Sequence, residues 1–434
     1  MISTFSILFI TSILSLALHR SIYLKPFVLI ALAISMILTF SGSEVGLIGF
    51  STNETIKLFE LILELVLFAV VLHEDEDITI TQTMFIATAS ILLLQSDTLM
   101  SFIISFEAIG IISLVLVSYI KTKDEADGAV KMFIASGIAT AILFLGVVFY
   151  LMGGGALLEP IATTTNIVQK IGIIIIFISL FYKLTIVPFH GWASDAYALV
   201  KNSHASLLSG VVKSVVVVSV FKIFAPFFTT NFELTSTVFM IFAIITMTLG
   251  NFMALFTKKL SSILSYSSIA HAGYMLLVFV AIKSSFAKDG VLYIAIAYIF
   301  MQTSAFLVLD ILKKHYKITT LEELAGFSKV NHLVSLFFTL ELLSLAGIPL
   351  LAGFLAKAVV FYSVVDAGFY YIALIALLNS ALSVGYYVWI IKAIYFDDTS
   401  KEKQELKLTM PLMAQTILAC GTLYFGIFAG VVFK

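Results

Sequence analysis

Apolar residues in this chain fall into fourteen runs, separated by short polar connections. A bilayer core about 30 Å thick takes about 20 apolar residues of helix to cross, and the runs have that length. They lie near residues 2–18, 22–40, 56–72, 79–95, 98–120, 130–152, 168–200, 204–225, 235–257, 261–282, 290–312, 332–365, 368–395 and 409–432. The pattern predicts an all-α polytopic membrane protein of about 14 transmembrane helices, and no connection is long enough to hold a second domain. The first run, Ile2 to Leu18, has no basic residue before it, and His19 and Arg20 follow it. A cleavable signal has the opposite order, so a retained first helix is expected.

Two runs are interrupted. Lys183 stands in the apolar run Ile171 to Val187, and Pro188 breaks that run five residues later. Pro349 breaks the run at 332–365 and Lys357 follows it. A proline inside a membrane helix frees a carbonyl that another group must satisfy. A charge at bilayer depth costs roughly 2.5–3.5 kcal/mol on translocon scales. Interrupted helices in the two halves of a chain point to an inverted-repeat transporter fold, although two unrelated kinks give the same pattern. The division expected is helices 1–3 in 1–79, a five-helix repeat with broken helix 7 in 80–225, its inverted partner with broken helix 12 in 226–395, and helix 14 in 396–434.

Composition closes the soluble alternatives. Hydrophobic residues make up 61% of the 434 and charged residues 12%, with a mean hydropathy of +1.10. Soluble domains carry about 45–50% and about 25%. A net charge of −1 gives no bulk attraction to nucleic acid. The single cysteine, Cys420, excludes a disulfide framework, a cysteine zinc site and an iron–sulfur cluster on this chain. With the N-terminus outside, sixteen of the 25 lysines and arginines fall in cytoplasmic loops and six on the outer side, so both termini are expected outside. The acidic loop from His73 to Asp77 then faces the cytoplasm, either as a solvated loop or as a docking surface.

Within the spans three lysines remain: Lys183, Lys213 and Lys357. One alone reads as a snorkelling side chain; three suggest a hydrated path. Lysine suits proton relay because a buried lysine can exchange its proton near neutrality, whereas arginine cannot release one. Glu107, about nine residues into the fifth span, is the complementary charge. It forms with Lys183 either a pair whose breaking releases a proton or a static pair that fixes helix register. His271, with Tyr274 in a helix rich in small hydroxyls, either relays protons between the halves or bonds a neighbouring helix. His190 and Asp195 either line an exit or cap the break, and His204 reads as interfacial. Glu60 and Glu64, one turn apart, face either a partner subunit or a hydrated seam. Glu341 and Asp310 are weaker candidates. No Walker A sequence or dinucleotide fingerprint is present, and Gly153-Gly154-Gly155 reads as a turn. No redox or hydrolytic site is visible, so the chain conducts or couples energy supplied elsewhere.

At these residues the sequence resembles the antiporter-like subunits of respiratory complex I and the related multi-subunit cation/proton antiporters. The likeness covers roughly residues 80 to 395 and rests on several stretches together. These are the Glu107 helix, Phe181-Tyr-Lys-Leu-Thr-Ile-Val-Pro-Phe-His-Gly-Trp-Ala-Ser-Asp-Ala-Tyr197, the Lys213 helix, Ser265-Tyr-Ser-Ser-Ile-Ala-His-Ala-Gly-Tyr274 and Gly347-Ile-Pro-Leu-Leu-Ala-Gly-Phe-Leu-Ala-Lys357. Lysine at 357, the absence of a long lateral helix after the fourteenth span and Asn379 to Tyr387 resemble the N-like branch. The resemblance implies a proton-translocating subunit, part of a translocase that couples quinone reduction elsewhere in the complex to proton pumping in a bacterial or archaeal plasma membrane. It implies that Glu107 and Lys183 form the coupling pair, Lys213 passes the proton toward His271, and Lys357 ends the path at the outer half-channel. It places no cofactor on this chain, and puts flavin, iron–sulfur clusters and quinone on other membrane and peripheral subunits. The segment Lys201-Asn-Ser-His-Ala-Ser206 departs from the family, which usually has small residues and proline there. Two other readings stay open: a subunit of a sodium/proton antiporter that works without electron transfer, and a spacer that moves nothing.

Overall fold

The computed structural model describes residues 4–41, 50–119, 121–161, 166–397, 409–428 and 430. Among them the secondary structure is helical, apart from isolated bridges at Phe50–Ser96 and Lys259–Thr320. The elements are α1 (Thr4–Ala17), α2 (Leu24–Phe40), α3 (Glu54–His73), α4 (Asp77–Gln95), α5 (Leu99–Val117), α6 (Lys123–Met152), α7 (Ile167–Lys183), α8 (Gly191–Leu199) and α9 (Asn202–Ser206). A π-helical turn, Leu207–Val212, joins α9 to α10 (Lys213–Thr230). Then come α11 (Phe232–Leu255), α12 (Leu260–Val280), α13 (Ala287–Tyr316), α14 (His332–Ala346), α15 (Ala352–Asp366), α16 (Tyr370–Tyr395) and α17 (Thr409–Ile427). Every predicted run corresponds to one helix or, at 168–200 and 332–365, to a broken pair. The all-α class is as expected.

Local chemistry sets the helix starts. Asn53, Asn166 and Asn331 accept N–H bonds at the beginnings of α3, α7 and α14. Thr98 with Ser101, and Thr122 with Glu125, form reciprocal capping boxes on α5 and α6. Cross-links join loops into two opposite sets. On one side Lys222 bonds Asp97 and the Ser51 carbonyl, and Ser284 bonds Asp366. On the other Lys201 bonds Glu74, Lys314 bonds Asp75, and Gly326 bonds the Ala393 carbonyl.

α13 is buried along its length, and α12 nearly so. Around them α6, α11 and α16 turn outward apolar faces such as Phe133, Phe144, Ile245, Phe252 and Leu377. Exposed apolar area on that scale marks a lipid-facing surface. α11 packs on α12 through Gly250, where a Cβ would come within 2.5 Å of the Ala270 nitrogen. Small residues of this kind allow helix backbones to approach closely in a membrane. Phenylalanines link α7 and α10 to α11 and α12. Phe177 of α7 meets Phe224 of α10 at 4.8 Å, Phe228 meets Phe239 of α11 at 5.0 Å, and Phe239 meets Phe279 of α12 at 5.2 Å.

Candidate functional site

Both helix breaks are closed by polar groups drawn from nearby. α7 ends at Lys183, and the chain turns through Thr185 at φ 63° before the cis Val187–Pro188 bond. The Trp192 indole donates to the Tyr182 carbonyl at 3.0 Å, and Thr246 of α11 accepts the Val187 N–H at 3.1 Å. α14 ends at Gly347 with φ 89°, and Leu350 also has positive φ, at 73°. The carbonyls freed there are taken by Lys357: its Nζ donates to Leu345 O at 2.9 Å, Ala346 O at 3.1 Å and Ser380 Oγ at 3.0 Å. The second break is therefore held by the lysine itself, as broken membrane helices require.

Lys183 and Glu107 line one cavity of 290 Å³, with Phe106, Gly110, Thr140 and Tyr182. Glu107 accepts from the Thr140 hydroxyl at 2.9 Å, and the Lys183 ammonium lies 5.9 Å from the centre of the Phe106 ring. A Cβ on Gly110 would come within 3.1 Å of Nζ, so this glycine makes room for the ammonium beside α5. Among the described residues no ion-pair contact joins Glu107 to Lys183. The expected pair is open, with the two charges close enough to act on each other across the cavity.

From the first break the polar groups continue inward. Lys213, 1% exposed, donates from Nζ to Thr185 Oγ1 at 3.0 Å, Ser268 O at 3.1 Å and Ser268 Oγ at 2.5 Å. Tyr298 donates to Ser268 Oγ at 2.9 Å. One helical turn beyond Ser268, the His271 ring packs 5.3 Å from the Tyr298 ring and places Nε2 3.5 Å from Tyr387 Oη. His271 Nδ1 is buried with no hydrogen-bond partner among the described residues, and both Lys213 and Lys357 act on the ring through space. Lys357 lies 5.2 Å from the centre of the Tyr274 ring, whose hydroxyl accepts from Asn251 at 3.2 Å. Lys213, His271 and Lys357 thus form one buried polar file from break to break. Among the described residues its lysines meet hydroxyl and carbonyl oxygens and no carboxylate. Such a file can hand a proton between amine, hydroxyl and imidazole; it offers no nucleophile–base pair and no redox group.

Other candidates fall elsewhere. The loop after His73 is not merely solvated: Glu74 is buried and bonds Lys201 at 2.7 Å, and His73 lies 3.3 Å from Asp310. Lysines from four separate parts of the chain, Lys25, Lys121, Lys201 and Lys314, reach this loop, which sequence order conceals. His204 is not interfacial; it is 2% exposed and its Nε2 meets Thr79 Oγ1 at 3.2 Å. Asp195 pairs with Lys131 of α6 at the surface, away from the file. Glu60 accepts from Gln95 at 2.9 Å, Glu64 from Ser35 and Thr39, and Glu341 from Thr422 at 2.9 Å, all buried within this chain. Thr185, Ser268, Tyr298, Tyr387 and Ser380 were not singled out by sequence reasoning. The hydroxyl-rich composition of 261–274 signals Ser268, and Thr185, Ser380 and Tyr387 lie in stretches that carry the resemblance without standing out there.

The chain matches the NADH:quinone oxidoreductase/Mrp antiporter transmembrane family over residues 96–383. It is 30% identical over 365 residues to NADH-quinone oxidoreductase subunit N of Flavobacterium johnsoniae, covering 80% of this chain and 78% of that one. It is 28% identical over 422 residues to F(420)H(2) dehydrogenase subunit N of Methanosarcina mazei, covering 90% and 85%. Its fold is similar to a chain of respiratory complex I from Thermus thermophilus, with TM-score 0.85 and 22% identity over 99% of this chain and 98% of that one. The breaks, the buried lysines and these matches together place the chain in the NADH:quinone oxidoreductase/Mrp antiporter transmembrane family.

Proposed function

We propose that this chain is the N-type, proton-translocating membrane subunit of a complex I-type NADH:quinone oxidoreductase. The observation that carries the reading is the file from Lys213 through Ser268 and His271 to Lys357, buried between two broken helices. Quinone reduction, flavin and iron–sulfur chemistry belong to partner subunits in this reading. The chain supplies only proton transfer.

In the resting arrangement the Glu107–Lys183 pair is open. Closing it places a carboxylate against the Lys183 ammonium, which stabilises the protonated lysine and weakens its positive field at the first break. Lys213 donates to Thr185, two residues beyond Lys183, so a shift of the break moves its acceptors directly. An N–H bond of the Lys213 ammonium then breaks as an O–H bond forms at Ser268, whose own proton moves on toward His271. His271 passes a proton toward Lys357, which holds it at the second break. Moving one charge across the membrane against 100 mV costs about 2.3 kcal/mol. Redox-linked movement in neighbouring subunits supplies that work by biasing the open and closed pair. The excess of lysine on the face of the 74–76 loop supports placing that face, and the proton source, in the cytoplasm, with helices 4–8 and 9–13 as the two repeats.

Lys213→Ala is the direct test. It is expected to cut proton transfer by the assembled complex while leaving the chain in the membrane. Unchanged pumping per quinone reduced would place the axis elsewhere. The family also includes Mrp antiporter subunits, so gentle extraction of the tagged chain separates the two partner sets. Flavin and iron–sulfur absorbance with quinone reductase activity supports the present reading. Membrane subunits alone, with sodium-dependent transport, support an antiporter.

A further inference from the structure

On the face that carries the 74–76 loop, a second set of titratable groups lies apart from the file. A cavity of 250 Å³ opens there between Glu76, Lys121, Lys201, Asn202, Lys314 and Asp310. Asp310, on α13, is 5% exposed and its carboxylate lies 3.3 Å from His73 Nε2. His204 is within electrostatic range of Asp310, Glu74, Glu76 and Lys201. Asp310 also acts on, or is acted on by, Lys201, Lys314 and His315.

Inward from that cavity the buried groups want partners. Among the described residues, Ser203 Oγ, Gln302 Oε1 and Thr303 Oγ1 have no hydrogen-bond partner. Buried polar groups of this kind are satisfied by water, which needs a polar site with several partners. They lie along the contact of α9 and the π-helical turn with α13. A π-helical turn widens the helix by one residue and recurs at functional sites. At its inner end Gln302 Nε2 donates to Ser209 Oγ at 3.0 Å, and Ser209 Oγ donates to Ser268 Oγ at 2.9 Å. Ser268 is the oxygen that Lys213 grips.

We propose that Asp310 and His204 form a proton-loading site that refills Lys213 from the cavity at the 74–76 loop, through Ser203, Gln302 and Ser209. The inference rests on Lys213 being a proton carrier. The Asp310 carboxylate takes a proton from the cavity, and that O–H bond breaks in turn as the proton moves inward along water and hydroxyl groups. An N–H bond forms on the neutral Lys213 amine, and the Asp310 carboxylate is reprotonated from the cavity. His73 holds the Asp310 carboxylate in place. Its role is positioning.

The test uses the assembled complex in inverted membrane vesicles, with the rate of acidification followed during quinone reduction. Asp310→Asn, Asp310→Glu, His204→Ala and Lys213→Ala are compared at equal amounts of complex. Asp310→Asn and His204→Ala are each expected to slow acidification about tenfold or more, the scale on which a lost proton-transfer group acts. The loss should deepen as the pH on the cavity side is raised, because entry then limits the rate, and Asp310→Glu should recover most of it. A packing role would slow every pH equally and would not be rescued by glutamate. If Asp310→Asn fails to assemble, His204→Ala carries the test, since among the described residues the His204 ring bonds only the Thr79 hydroxyl. Wild-type rates at every pH in Asp310→Asn and His204→Ala, with Lys213→Ala inactive, overturn the loading site and leave the relay standing. Wild-type rates in Lys213→Ala as well overturn both.

Discussion

At Lys357 one ammonium has two tasks that substitution can separate. It caps the Leu345 and Ala346 carbonyls at the second break, and in the relay it holds and releases a proton. A carbonyl left bare there costs about 1–3 kcal/mol, so Lys357→Leu should lower the amount of assembled chain. Lys357→Arg keeps N–H donors for those carbonyls but cannot release a proton. It is expected to leave assembly near normal and to abolish proton transfer, read as acidification per quinone reduced. Normal pumping in Lys357→Arg would leave Lys357 as a cap alone. Glu107 shows the complementary limit of residue types: its charge was legible in the sequence, but its present partner, Thr140, was not. A hydroxyl one helix away carries no sequence signal of its own.

The helices themselves were read closely because membrane physics leaves few choices. Apolar length sets each span, and Pro188 and Pro349 mark the two breaks. What sequence could not supply was how tightly the broken ends pack. In α15, Gly353 sits against the backbone of Ser344 in α14, where a Cβ would lie within 2.7 Å of the Ser344 carbonyl carbon. Gly353→Ala must push the two half-helices apart. Overpacking of this kind costs about 1–3 kcal/mol, and the thermal midpoint of the detergent-extracted complex should fall. Gly191→Ala, at the start of α8, meets nothing within 4 Å and should leave that midpoint unchanged. Equal midpoints for the two variants would mean that the second break is not tightly packed. The same blindness to tertiary approach explains His204, where a polar residue near a span end reads as interfacial until α4 covers it.

At the scale of the whole chain, the 74–76 loop ties four separate parts of the sequence together. Lys25, Lys121, Lys201 and Lys314 all reach it. Burial pushes the Asp75 carboxyl up, but the hydrogen bond and charge of Lys314, with Lys25, outweigh it and hold the group below its ordinary value. Burial acts likewise on Glu76, and Lys121 and Lys201 again lower it overall. A carboxylate depressed in this way contributes stability in full above its unfolded pKa, about 3.9 for aspartate and 4.3 for glutamate. That contribution is lost as pH falls through the lower folded value. Acidification below that range should therefore release the loop before the apolar spans give way, because the spans are held mainly by apolar packing. Hydrogen exchange at residues 74–77 is expected to rise steeply over that interval, with α12 and α13 unchanged. Asp75→Asn should remove part of the rise, since its loop has less to lose. Exchange that stays flat through the same interval would show that apolar contacts, not these ion pairs, hold the loop against the inner ends of α3, α9 and α13.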